Sequence, residues 1–153
     1  MIAAVDGVLE RHDIHAWTGW LRRQGIRTLY GIGVSMGASI LLQAVPGGDF
    51  RAVVAESPFS CFREIALYRV AQVTAGLSGR APLLFAPMLE AAFLYTRVRS
   101  GLDLNQACPL RAIEADAGRT AVLLIHGAED QNIPVVQSRQ LAKAAAIPLW
   151  EVR

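Results

Sequence analysis

Histidine is scarce: three in 153 residues, at positions 12, 15 and 126, with none after residue 126. Cysteine is scarcer. Cys61 and Cys108 have no neighbours at metal or redox spacing, so the sequence offers no thiolate metal site. They read as buried thiols rather than a bridge. Charged residues make up only 18% of the chain and the formal net charge is +2. The arginines are scattered without a basic block or interleaved aromatics, which argues against a nucleic-acid partner. No unbroken apolar run is long enough to span a bilayer. The most apolar stretch, 81–95, is interrupted by Pro82, Pro87 and Glu90 and reads as a buried or cap helix, with membrane-surface contact as the lesser reading. Asp6 interrupts the opening apolar residues too early for a signal peptide, so a cytoplasmic location is expected. Internal repeats and low-complexity segments are missing too. What the chain has in quantity is apolar residues, 53% of the total, ample for the core of one domain.

One stretch organises the rest. An apolar run leads into Gly33-Val34-Ser35-Met36-Gly37, and an amphipathic helix pattern begins directly behind it. A G-x-S-x-G pentapeptide between a strand and a helix is the arrangement of a nucleophile elbow. The turn is so tight that side chains two residues before and after the serine are expected to collide with strand and helix. Glycines at 33 and 37 remove them. The serine hydroxyl then stands above the carboxyl end of the sheet, and the Met36 amide lies at a helix N-terminus where it can hold an oxyanion. Two other readings stay open on this stretch alone. Gly31, Gly33 and Gly37 fit a loosened dinucleotide loop with Glu56 as the ribose-binding acid, and a structural turn without chemistry is also possible.

In chain order, residues 1–11 show no clear period. Asp13 is placed to cap a helix over 14–24 with Ile14, Trp17 and Leu21 on one face, and Gly25 stops it. His12 and His15 lack a third ligand nearby and read as surface or cap residues rather than a metal pair. Residues 28–34 form a strand, 36–45 a helix, and 50–56 a second strand after Pro46-Gly47-Gly48. This is a parallel strand–helix–strand unit. Two helical stretches, 61–75 and 83–99, follow across a linker at 76–82. They read either as a lid over the site or as ordinary packing helices. Residues 103–113 look irregular, with Pro109 opening a short helical turn. Residues 120–125 are the clearest strand and run into His126-Gly127-Ala128-Glu129-Asp130. Pro134 suits the first turn of a helix over 135–146, and 148–152 begins another strand.

The elbow, the strand ending Glu56-Ser57-Pro58-Phe59, and the later Leu123-Leu124-Ile125-His126-Gly127-Ala128-Glu129-Asp130 together resemble the α/β-hydrolase superfamily. The nearest branch is the prolyl-oligopeptidase-like and dienelactone-hydrolase-like serine hydrolases. The resemblance runs from about residue 12 to 152. It implies an α/β fold, a parallel sheet flanked by helices, as one incomplete domain with a helical lid-like insertion at about 60–104. It also implies Ser35 as nucleophile, Asp130 as triad acid, Met36 as an oxyanion-hole amide, and Gly33 and Gly37 as the elbow glycines. Glu129 is the alternative acid. His126 belongs to the acid-loop signature and is read as a supporting histidine, not the base. The implied activity is hydrolysis of small-molecule ester or peptide substrates, with no metal and no cofactor.

The family's base is a histidine after the strand that 150–152 begins, and its second oxyanion amide precedes the elbow strand. Neither is found here. The expectation is therefore a portion of a larger hydrolase cut at both ends, nearly inactive and poorly soluble alone. A non-catalytic binding protein of the same fold is the alternative.

Overall fold

Four short apolar segments pair side by side into one parallel sheet. A computed structural model describes residues 8–74 and 81–153. Its strands are β1 (Tyr30–Val34), β2 (Ala52–Glu56), β3 (Ala121–Gly127) and β4 (Leu149–Val152), in the spatial order β1-β2-β3-β4. Register is continuous across the sheet: Ile32 lies beside Val54 and Val54 beside Leu123, while Ile125 lies beside Trp150. Each strand begins one or two residues later than the apolar pattern suggests. A single further bond, Arg51 N–H to the Leu29 carbonyl at 2.8 Å, precedes the β1–β2 ladder.

The helices are α1 (Glu10–Arg23), α2 (Met36–Ala44), α3 (Phe62–Thr74), α4 (Ala81–Ser100), α5 (Pro109–Asp116) and α6 (Val136–Ala145). Parallel strands need crossovers, and α2 supplies the one between β1 and β2. Every residue of α2 from Ala38 to Ala44 is buried. Its Leu41 and Leu42 pack with Val53 and Ala55 of β2, Leu124 of β3, Ile113 of α5 and Leu141 of α6. Leu42, Leu124 and Leu141 are fully buried, each contributing roughly 2 kcal/mol of transfer free energy.

Several expectations change at the element ends. Helix α1 starts at Glu10, so Asp13 sits inside the first turn instead of capping it. There its charge still favours the helix N-terminus. Trp17 faces outward at 65% exposure, edge-on to Trp20, and of the expected apolar face Ile14 packs against the core. The short helical turn expected to open at Pro109 is an eight-residue helix, α5, which runs on to Asp116, past the end of the segment read as irregular. Pro134 lies just before α6, which begins at Val136. The linker expected at 76–82 falls largely outside the described residues.

Cys61 and Cys108 are joined in a disulfide, which corrects the reading of two separate thiols. The reason is tertiary. Phe62 N–H donates to the Ala107 carbonyl (2.8 Å) and Leu110 N–H to the Ser60 carbonyl (3.0 Å), so the start of α3 is stitched to the start of α5. Helices α3 and α4 then pack on each other through stacked Phe62 and Phe93 rings, 5.9 Å apart, and an Arg63–Glu90 ion pair.

Helices α2 and α6 both contribute to the core on one face of the sheet. Side chains alternate across a strand, so the opposite face carries Tyr30, Ile32 and Val34 of β1, Val54 of β2, Leu123 and Ile125 of β3, and Trp150 and Val152 of β4. Among the described residues no helix covers this face: Tyr30 is 69% exposed, Ile32 81% and Trp150 61%.

Candidate active site

The carboxyl ends of β1, β2 and β3 lie level, because Val34, Glu56 and Ile125 are in register. The chain turns sharply at each end, and the candidate site residues lie in those turns. At the first, Ser35 adopts φ 54°, ψ −123°, a conformation unfavourable for a side-chain-bearing residue and costing about 1–3 kcal/mol. Surrounding bonds hold it there. Ser35 N–H donates to the Glu56 carbonyl (2.8 Å), and the Ser35 carbonyl accepts from Ser39 N–H (3.1 Å) and the Ser39 hydroxyl (3.3 Å). The same Ser39 oxygen accepts from Phe59 N–H at 2.9 Å, tying the turn to the segment after β2.

Gly33 is required by this geometry. A Cβ there would meet the Ala38 backbone and the Gly37 carbonyl at 2.8 Å. The matching expectation for Gly37 is corrected, since a Cβ at that position meets nothing within 4 Å. Gly37 lies on the open side of the first turn of α2. Met36 is the first residue of α2, where helix geometry leaves its amide without an intrahelical acceptor.

The second turn carries Ser57 at φ 47°, its N–H donating to the Ile125 carbonyl (2.8 Å). The third carries Asp130, whose Oδ1 accepts from the amides of Asn132 (2.8 Å) and Ile133 (3.0 Å). Burial pushes the Asp130 carboxyl upward. The Ile133 and Asn132 amides, the Ser57 side chain and the nearby His126 ring outweigh it and hold the group below its ordinary value, so it is ionised near neutrality. Glu129 points into solvent.

His126 is fully buried. Its Nε2 lies 2.7 Å from the Ile133 carbonyl and its Nδ1 2.7 Å from the Ser138 hydroxyl. A carbonyl can only accept, so Nε2 carries the proton toward Ile133, while Nδ1 meets the hydroxyl. Both nitrogens are occupied, and the ring braces the Asp130 loop from below. His15 is engaged elsewhere, 2.9 Å from Asp49.

A cavity of about 700 Å³ opens beside Ser35 and Met36. It is walled by Phe59, by Phe62, Ile65 and Arg69 of α3, by Leu89 of α4, and by Asn132 and Ile133. Ser35 and the Asp130 loop therefore share one rim. Neighbouring strands are about 4.8 Å apart, which sets Ser35 roughly 10 Å from the end of β3, with Ser57 between. Sequence reasoning passed over Ser39, Ser57 and Arg69. Arg69 donates to Asn132 Oδ1 at 3.1 Å, and Gln72 donates to the Gln131 carbonyl at 2.7 Å, fastening α3 to the acid loop. The Asp130–Asn132 turn alone had a local signal, an Asp bonding an amide two residues on.

The parallel sheet, the serine turn behind β1 and the acid turn behind β3 together make the architecture that of the α/β-hydrolase fold. Solved structures of similar fold include a puromycin-hydrolyzing peptidase of Mycobacterium tuberculosis (TM-score 0.64, 22% identity, 95% of this chain and 21% of that one). An esterase domain from Rhodothermus marinus matches with TM-score 0.61 and 16% identity over 95% of this chain and 57% of its own. The monoacylglycerol lipase of Paleococcus ferrophilus matches with TM-score 0.56 and 20% identity over 94% and 63% respectively. The chain thus spans about a fifth of the length of the peptidase and roughly three fifths of the esterase and lipase. No family model matches the sequence. No curated protein matches it either.

Proposed function

We propose that this chain carries the nucleophile and the acid of a serine hydrolase that cleaves ester or amide bonds in small-molecule or peptide substrates. One observation carries the reading: Ser35 is held at positive φ on the sheet rim, in a cavity that the Asp130 loop also walls. The Ser35 hydroxyl attacks the substrate carbonyl as its proton passes to a base, and the Met36 amide stabilises the oxyanion. The base returns the proton to the leaving alcohol or amine as the carbon–oxygen or carbon–nitrogen bond breaks, and water releases the acyl group by the same steps. Helices α3 and α4 act as a lid over the acyl side of the site. The peptidase, esterase and lipase of similar fold support this chemistry without selecting between ester and amide.

His126 cannot serve as base with both nitrogens engaged, and His12 and His15 line a different cavity. We assign the role to a histidine from outside residues 1–153, seated in the gap of about 10 Å over Ser57, with its Nδ1–H held by Asp130. The occupied state of His126 also favours a second reading, a non-catalytic binding protein that keeps Ser35 without using it. The cytoplasmic location suggested by the sequence stands against the Cys61–Cys108 bridge, which an oxidising compartment preserves.

Added imidazole separates the two functions. With p-nitrophenyl acetate as substrate, imidazole should accelerate turnover in the wild-type chain at least tenfold more than in Ser35→Ala, part of the roughly 100-fold a positioned base supplies. Equal rates in the two proteins would overturn the hydrolase reading and leave the binding protein.

A further inference from the structure

The wall of the cavity beside Ser35 carries a cationic group and, among the described residues, no aspartate or glutamate. Its lining from α3 and α4 is otherwise apolar, with Phe62, Ile65 and Leu89 in it. The cation is Arg69, and it is held differently from other arginines of the chain. Arg22, Arg63, Arg119 and Arg139 each meet a carboxylate. Arg69 meets two neutral amide oxygens instead: Nη1 donates to Gln72 Oε1 at 2.9 Å and Nη2 to Asn132 Oδ1 at 3.1 Å. Both acceptors are themselves anchored. Gln72 Nε2 donates to the Gln131 carbonyl (2.7 Å) and the Tyr68 hydroxyl (3.1 Å), which turns its oxygen toward Arg69. Asn132 N–H donates to Asp130 Oδ1 at 2.8 Å. Among the described residues no carboxylate lies within ion-pair distance of Arg69. Two amides thus orient the guanidinium without neutralising it, and its five N–H donors leave some over for a ligand.

We propose that Arg69 selects the substrate: the acyl group held in this cavity ends in a carboxylate, so the substrates are half-esters or half-amides of aliphatic dicarboxylic acids. The inference rests on the reading of Ser35 as nucleophile and names the substrate class of that same site. The methylene chain lies along Phe62 and Ile65, and its terminal carboxylate meets the guanidinium as a planar, two-pronged partner. Arg69 is exposed in the open cavity. A bound chain covers it from water, which strengthens the contact. A mere tie between α3 and the acid loop needs a donor, but not an uncompensated charge in the wall that Ser35 shares. The reaction itself is unchanged: Ser35 takes the acyl group as the alcohol or amine leaves, and water then releases the dicarboxylic acid.

Mono-p-nitrophenyl adipate and its methyl ester differ at the far end only in that charge. With imidazole as base and the Ser35→Ala rate subtracted, the half-ester should show a KM about tenfold lower than the methyl ester. The advantage should shrink in high salt. Arg69→Met should cut the ratio of the two kcat/KM values about tenfold. Loosening of α3 alone would slow both esters alike and leave the ratio unchanged, a result that would overturn the proposal while the hydrolase reading stands. A binding measurement needs no catalysis. Octanoate should shift the Arg69 Nε–H signal in NMR and bind about tenfold more tightly than octanol, and Arg69→Met should remove the difference. Equal binding of acid and alcohol would overturn the assignment whether or not any ester is turned over. Preference for the acid without Ser35-dependent turnover would sink the hydrolase reading alone and leave Arg69 as an anion-binding residue.

Discussion

At the scale of single residues, the elbow is a matter of atoms that have nowhere to go. Gly33 and Gly37 look equivalent in the pentapeptide, yet only Gly33 faces backbone at 2.8 Å. Gly33→Ala should therefore destabilise the fold by about 2 kcal/mol or more through overpacking. Gly37→Ala, helical and unobstructed, should be neutral or slightly stabilising. Urea unfolding of both variants checks the contrast, and equal losses would show that the turn is not packed as described. The pentapeptide, the strand before it and the acid turn were readable because each depends on neighbours in sequence. The anchoring of Ser35 by Ser39 and the bond from Ser57 to Asp130 were not, because they join residues brought together only by the sheet.

At the scale of elements, the periodic helices and apolar strands follow from the chain's local pattern, and their ends do not. Helix α1 extends four residues ahead of the expected start because a turn forms without a side-chain cap at Leu9. Helix α5 exists because its Ile113 fills the core beneath α2 while Asp116 takes two bonds from Thr120, neither of which is visible from spacing. The Cys61–Cys108 bridge belongs here too, because it joins the first turn region of α3 to that of α5 across a separation of 47 residues. Closing a loop of that size restricts the unfolded chain, and its reduction should cost about 4 kcal/mol. A urea midpoint that falls when reductant is added bears this out. An unchanged midpoint would mean that the bridge adds nothing to the packing of α3 on α5.

At the scale of the whole molecule, the described helices cover one side of the sheet and leave the other bare. Tyr30, Ile32 and Val34 on edge strand β1 and Trp150 and Val152 on the opposite edge strand β4 are exposed apolar residues of the bare face, a combination that promotes association. Light scattering should detect concentration-dependent association, and Ile32→Thr with Val34→Thr should suppress it without loss of secondary structure. A clean monomer at high concentration that binds no hydrophobic dye would contradict a bare face. No described helix is long and apolar enough to cross a membrane. The parallel order and the flanking helices were legible in the alternation of apolar runs and breakers. Which face would lie open was not, because β1, β2 and β3 are apolar on both faces.

Covalent trapping examines most directly the proposed role of Ser35 as a nucleophile awaiting a base. The chain would be incubated with a fluorophosphonate and imidazole, digested, and the adduct located by mass spectrometry. Modification at Ser35, rising with imidazole and lost in Ser35→Ala, is the predicted result. Labelling spread over other serines, or absent with imidazole present, would contradict it.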